Sequence, residues 1–364
     1  MHGVKRVAQS QDAIAAKKQR ERQKLADYLA LSDDVLARKK AKEYSPEAFE
    51  LTTRLLQVNP EFYTAWNYRR NILTHGIFPT SSPDEIDALL DSDLGMTTQA
   101  LKEHPKVYWL WNHRAWCLQQ GSEAWRGRSW KREMGMVEKM LDVDARNCTW
   151  CASVPSRFSS PLPLLTSMCA VHAWNYRREV LKHLPTHTPA AELAYTTRKI
   201  AASFSNFSAW HQRSKVYTVL WSATPAAEET ARQEDLELVR NAMYTDPGDQ
   251  SAWVYHRWLV GPAPSRALLE GEIQAIGELL EEEPGSKWCM ESLVHYKSLL
   301  LKQHATQDDE RESLKEECAR LLEELKGVDS FRKARYEELG MFCCVFGWSV
   351  WALTNSTAAA IRSE

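Results

Sequence analysis

Along residues 45 to 300, apolar residues recur at three- and four-residue intervals, the spacing of amphipathic helices. The stretch Ser45-Pro46-Glu47-Ala48-Phe49-Glu50-Leu51 opens one such helix, with serine placed to cap it and proline at its first position. Leu51, Leu55 and Val58 fall on one helical face, and Asn59-Pro60 closes the element. Proline closes later stretches in the same way at His104-Pro105, Asp246-Pro247 and Glu283-Pro284. After each closure a second helical stretch begins, and each of these carries a tryptophan. The expected fold is therefore all-α.

The tryptophan-bearing stretches repeat a phrase. Tyr63-Thr64-Ala65-Trp66-Asn67-Tyr68-Arg69-Arg70 returns as Tyr108-Trp109-Leu110-Trp111-Asn112-His113-Arg114 and as His172-Ala173-Trp174-Asn175-Tyr176-Arg177-Arg178. It returns again as Ser208-Ala209-Trp210-His211-Gln212-Arg213. In Ser251-Ala252-Trp253-Val254-Tyr255-His256-Arg257 the arginine comes one place later, and Lys287-Trp288-Cys289-Met290 keeps a tryptophan without it. The steps between these tryptophans are 45, 63, 36, 43 and 35 residues. Apart from the long step, each fits one helix-turn-helix unit, which stacks on its neighbours because no single hairpin buries its apolar side. Tryptophan and arginine three residues apart share a helix face. Their first expected role is packing, with tryptophan wedged between hairpins and arginine reaching a carbonyl or carboxylate. The expected architecture is a right-handed α-solenoid of stacked hairpins over residues 45–339. Residues 1–44 precede it as a basic helical segment, and 340–364 follow as an atypical tail.

Composition narrows the function classes. Lys and Arg total 46 against 48 Asp and Glu, so no net positive field argues for nucleic acid. No apolar run reaches membrane-spanning length, and the amino terminus lacks the apolar stretch of a secretory signal. Eight cysteines without a regular framework fit a reducing, cytoplasmic setting. The sequence shows no nucleophile elbow, glycine-rich phosphate loop or paired catalytic carboxylates.

The Trp-Asn-Tyr-Arg-Arg repeats, spaced in this way, resemble those of protein prenyltransferase α subunits. The Met1-His2-Gly3 start with a following basic helix is similar to the α subunits of Rab geranylgeranyltransferase in their short, fungal-like form. The resemblance implies a crescent around an obligate β subunit that binds zinc and geranylgeranyl diphosphate. It implies a Rab GTPase as substrate, presented by a Rab escort protein, and no independent catalytic residue in this chain. It also implies two contacts with the chemistry. Arg146, in Asp144-Ala145-Arg146-Asn147-Cys148, matches a basic position near the lipid diphosphate, although Cys148 stands where the family has an aromatic. His2 matches a residue that can ligate the β-subunit zinc in an autoinhibitory state. Two other readings stay open: the α subunit shared by farnesyltransferase and the type I enzyme, and a helical-repeat scaffold without enzymatic role.

The long step contains a proline- and serine-rich stretch without helical periodicity, read as an irregular insert at 149–170. Cys148, Cys151, Cys169 and His172 have the spacing of a zinc site, but His172 already has a place in the repeat. A third reading is a translated intron. Codons for a splice donor fit Cys148-Thr149, an acceptor fits Ala170-Val171, and removal restores the family phrase. The tail from Gly340 has a similar donor-like start.

Overall fold

The computed structural model describes residues 11–143, 167–223 and 228–345. Every regular element among them is helical. The chain divides into two compact units that meet in sequence at Thr188 and Pro189.

Unit 1 begins with α1 (Gln11–Lys40), the expected basic helix, which turns through Lys42 at a positive φ of 54°. Three hairpins follow: α2 (Pro46–Val58) with α3 (Tyr63–Ile72), α4 (Pro83–Glu103) with α5 (Tyr108–Gln120), and α6 (Glu123–Val143) with α7 (Ser167–Lys182). Unit 2 contains four: α8 (Pro189–Ala202) with α9 (Phe207–Ala223), α10 (Glu228–Thr245) with α11 (Gln250–Val260), α12 (Arg266–Glu282) with α13 (Lys287–Gln303), and α14 (Asp308–Val328) with α15 (Lys333–Val345). Within each unit the second helices of successive hairpins pack side by side, α3 on α5 on α7 and α9 on α11 on α13.

Local chemistry sets the helix starts. Ser45 accepts from the Ala48 amide with Pro46 at the first helical position, as the sequence predicts. Ser82 and Glu85 form a full capping box at the start of α4, a device that satisfies two orphan amides at once. Past α3 the helix widens into a π turn, Leu73–Ile77. Here glycine is required, because a Cβ on Gly76 would fall 2.0 Å from the Tyr44 carbonyl oxygen.

Several expectations shift. The buried stripe of α2 is Ala48, Thr52, Leu55 and Leu56, whereas Val58 is 64% exposed. The polar Thr52 belongs inside because it serves an arginine described below. The segment read as an irregular insert ends in helix, since α7 starts at Ser167. The helix α15 runs past Gly340 to Val345, and the rest of the tail read as atypical lies outside the described residues. The sixth repeat marker also moves. Met290, not Trp288, takes the fourth position of its helix and is 1% exposed, while Trp288 is only half-buried. In the last hairpin Tyr336 holds the same position, 0% exposed.

Candidate functional site

The repeat tryptophans are buried: Trp66, Trp111, Trp174, Trp210 and Trp253 are 1 to 4% exposed. Four of the indoles donate to a turn carbonyl six residues upstream. Trp66 bonds Pro60 at 2.9 Å, Trp111 bonds Pro105 at 3.2 Å, Trp210 bonds Phe204 at 2.7 Å and Trp253 bonds Pro247 at 2.9 Å. Each tryptophan thus fastens the turn that introduces its own helix. Its ring then meets the aromatic of the following hairpin that lies two places past that hairpin's own tryptophan. Trp66 meets His113 at 4.6 Å, Trp111 meets Tyr176 at 5.0 Å and Trp210 meets Tyr255 at 4.7 Å between centroids.

The arginines three places later act as three-way ties. Arg69 grips Asp93 of α4 through both Nε (3.0 Å) and Nη2 (2.6 Å). Its Nη1 donates to the Phe49 carbonyl and to the hydroxyls of Thr52 and Thr53 on α2. Arg114 repeats this with Glu133, the Leu94 carbonyl, Thr97 and Thr98. Arg213 repeats it with Asp235, the Leu193 carbonyl, Thr196 and Thr197. The guanidinium fork suits this, because it satisfies a carboxylate bidentately and still has donors left. Arg177 departs from the scheme within its own hairpin, donating to Met134 Sδ and Glu138 there. In the fifth copy His256 fills the arginine position and pairs with Glu272 at 2.8 Å and with the Tyr296 hydroxyl at 2.7 Å.

Each acid receives a further donor from its own hairpin: Asp93 from His113 Nε2 at 2.8 Å, Glu133 from the Tyr176 hydroxyl at 2.6 Å, and Asp235 from the Tyr255 hydroxyl, with the Tyr217 hydroxyl of the preceding hairpin added at 3.0 Å. Burial alone would raise Asp93, but the His113 hydrogen bond and the Arg69 charge outweigh it and hold this carboxyl well below its usual range. Burial pushes His113 down to about 4, against the pull of Asp93, so the imidazole is neutral and donates through Nε2. Burial opposes the Arg213 cation, yet the Asp235 hydrogen bonds and charge hold it above its ordinary value. These networks are structural. Their donors and acceptors pair with one another across the hairpins.

Among the described residues one cluster has metal-like composition: Asp93, His113 and Cys117. It does not fit zinc. Arg69 occupies Asp93, Arg70 Nε approaches His113 Nδ1 at 3.3 Å, and burial raises the Cys117 thiol well above its ordinary value. A cation there would face two guanidiniums and a protonated thiol. Arg146, His2, Cys148 and Cys151 lie outside the described residues, as do the side chains of Cys169 and His172.

What remains accessible is the exposed face of the second helices. Three places before the repeat tryptophan stand Tyr63, Tyr108 and Phe207, 53 to 54% exposed. One place after it come Asn67, Asn112 and His211. Sequence reasoning missed the acids and the threonine pairs. The threonines were detectable, because Thr-Thr lies 17 and 16 residues before the arginine in three copies.

The family described as "Protein prenyltransferase alpha subunit repeat" matches residues 45–76, 90–121, 189–220 and 232–261. The chain is 37% identical over 368 residues to the geranylgeranyl transferase type-2 subunit alpha of Schizosaccharomyces pombe, covering 93% of this chain and 97% of that protein. It is 36% identical over 274 residues to the Homo sapiens protein of the same name, covering 74% of this chain but only 43% of the longer human one. Among solved structures, Candida albicans protein geranylgeranyltransferase-I complexed with GGPP aligns with a TM-score of 0.63 at 20% identity, over 87% of this chain and 91% of that one, a likeness of fold. From its tryptophan-arginine hairpins to its near full-length match with the fission-yeast protein, the chain belongs to the family of geranylgeranyl transferase type-2 α subunits.

Proposed function

We propose that this chain is the non-catalytic α subunit of a Rab geranylgeranyltransferase, working in the cytoplasm as an obligate heterodimer with a β subunit. The observation that carries the reading is the 37% identity to the fission-yeast type-2 α subunit across nearly the whole of both chains. In this reading the β subunit holds zinc and geranylgeranyl diphosphate, and an escort protein presents the Rab GTPase. Zinc supplies activation of the substrate cysteine as a thiolate. This chain's part is to organise the partner. Its buried acid-arginine ties make each hairpin stack rigid, and rigid stacks present a preformed surface. The exposed aromatics Tyr63, Tyr108 and Phe207 are the apolar anchors such a surface offers. Arg146 supports the lipid diphosphate, and His2 ligates the β-subunit zinc before substrate arrives.

The test is reconstitution. The chain is co-expressed with a type-2 β subunit and assayed for geranylgeranyl transfer to a Rab protein with escort protein present. Transfer by the heterodimer, and none by either chain alone, is the expected result. Transfer only with a farnesyltransferase β subunit would move the chain to the shared α subunit. No assembly with any β subunit would leave the scaffold reading.

A further inference from the structure

Unit 2 contains a cleft of about 630 Å³ along the exposed side of α9, α11 and α13, continuing to the start of α15. Phe207 is 53% and Val254 43% exposed there, and the half-buried Trp258 and Trp288 extend the apolar lining. Trp258 is held by a flat stack on Trp221, with 5.4 Å between centroids and 6° between planes. Arg332 lies over the Trp288 ring and pairs with Glu291 at 3.0 Å and Asp329 at 2.6 Å. What the cleft offers first is therefore aromatic surface, with Arg257 and Arg335 as further donors in its lining.

The chain itself supplies a segment of matching chemistry. Tyr336 ties the start of α15 to α13, its hydroxyl donating to Glu291 at 2.8 Å. Arg335 lines the cleft, and Leu339, one turn further along the same helical face, is half-buried. From Arg335 to the end of α15 at Val345 the helix rises about 15 Å. The sequence then continues Phe346-Gly347-Trp348-Ser349-Val350-Trp351-Ala352-Leu353. Five of these eight residues are large and apolar, and no charged residue follows until Arg362. Such a segment gains free energy by burying its rings against apolar surface, and nothing in its charge opposes that burial.

The reach fits. Helices packed side by side are about 8–10 Å apart. With the 15 Å rise of α15, that places α13 at the level of Arg335 about 17 Å from Val345, and α11 about 23 Å away. Six extended residues span about 20 Å and eight about 26 Å, so Trp351 reaches α13 and Leu353 reaches α11. We propose that residues 346–353 turn back along α15 and close this cleft, with Trp351 against Trp288, Leu353 over Val254, and Arg257 and Arg335 donating to carbonyls of the segment. The contact is autoinhibitory. Phe207, one of the aromatics offered to a β subunit under the proposed function, borders the same cleft, so the segment and the partner compete for it. The closure stands on unit 2 alone, whereas its effect on assembly rests on the reading that a β subunit binds this chain.

The experiment has two arms. In the first, the full-length chain carries photoreactive benzoylphenylalanine in place of Trp351, is irradiated across a wide dilution series, and its adducts are mapped by mass spectrometry. The expected adduct joins position 351 to the peptides holding Trp288 or Val254 of the same chain, at a yield unchanged by dilution. Adducts elsewhere in the chain, or none, would overturn the proposal. Adducts between two copies that fade on dilution would give the cleft to a second copy and overturn it too. In the second arm, wild type and Trp351→Ser/Leu353→Ser are compared for binding of a type-2 β subunit. The variant should bind about 10-fold tighter, because a tethered competitor at about millimolar effective concentration has lost its anchors. Equal binding by the two forms would overturn the autoinhibitory role. Binding by neither would overturn the functional reading, while the adduct, formed without any β subunit, still decides whether the segment closes the cleft.

Discussion

Replacing Arg213 with methionine tests whether the acid-arginine ties hold unit 2 together. The substitution keeps most of the side-chain volume and deletes the cation. Two losses compete in size. The Leu193 carbonyl and the Thr196 and Thr197 hydroxyls lose a donor, but both hydroxyls still donate to Leu193 O, at 2.8 and 3.0 Å. That loss is therefore small, about 1 kcal/mol. Asp235 fares worse. Its side chain is 1% exposed and, among the described residues, keeps only the Tyr217 and Tyr255 hydroxyls, with no countercharge. Leaving a buried charge unpaired costs about 3–5 kcal/mol, so the carboxylate dominates. For a unit of this size that is a fall in melting temperature of about 6–20 °C. Adding Asp235→Asn should recover all but about 1–2 kcal/mol. Urea unfolding followed by tryptophan fluorescence reads each quantity. A cost below about 1 kcal/mol, or a double variant no better than the single one, would refute the reasoning.

Other outcomes follow from the same structure. Trp66→Ala should cost about 3–5 kcal/mol, because the ring is 1% exposed and also holds the Pro60 carbonyl; calorimetry showing an unchanged melting temperature would contradict this. His113 is neutral in the fold, with its pKa lowered to about 4 from an ordinary 6.5. The unfolded chain binds the proton first on acidification, so stability should fall by about 3 kcal/mol between pH 6.5 and 4, a slope that His113→Gln should flatten. Gly76→Ala should destabilise by about 1–3 kcal/mol, since its Cβ meets the Tyr44 backbone rather than a movable side chain; a neutral effect in thermal melts would refute the close approach. Arg146→Ala in the heterodimer should weaken use of geranylgeranyl diphosphate by about 1.5–3 kcal/mol with little change in stability, and unchanged lipid dependence would assign Arg146 to packing.

The hairpin stack was legible because its signal is local: a proline-closed helix, then tryptophan with arginine three places on. Trp288 shows the limit of that signal. A conspicuous indole drew the sixth marker two residues away from Met290, whose unbranched side chain fills the slot without announcing it. Thr52 was hidden for a different reason. A hydrophobicity pattern scores threonine as surface, yet here its hydroxyl is needed inside to receive Arg69. The acids Asp93, Glu133 and Asp235 lie 24, 19 and 22 residues beyond their arginines. These unequal separations follow from turn and helix lengths, so no fixed spacing exposes them. Arg257 entered the sequence reading only as a displaced repeat arginine, whereas His256 holds the buried position against Glu272.

The central claim is that this chain is inert alone and becomes part of an enzyme through a β subunit. The direct measurement is single-turnover transfer of labelled geranylgeranyl to a Rab protein, with escort protein present, by the purified chain, by a type-2 β subunit, and by the two reconstituted at equal concentration. The account predicts label on the Rab protein only in the reconstituted sample. Transfer at a comparable rate by the rigorously isolated chain, or none by a heterodimer shown to have assembled, would contradict it.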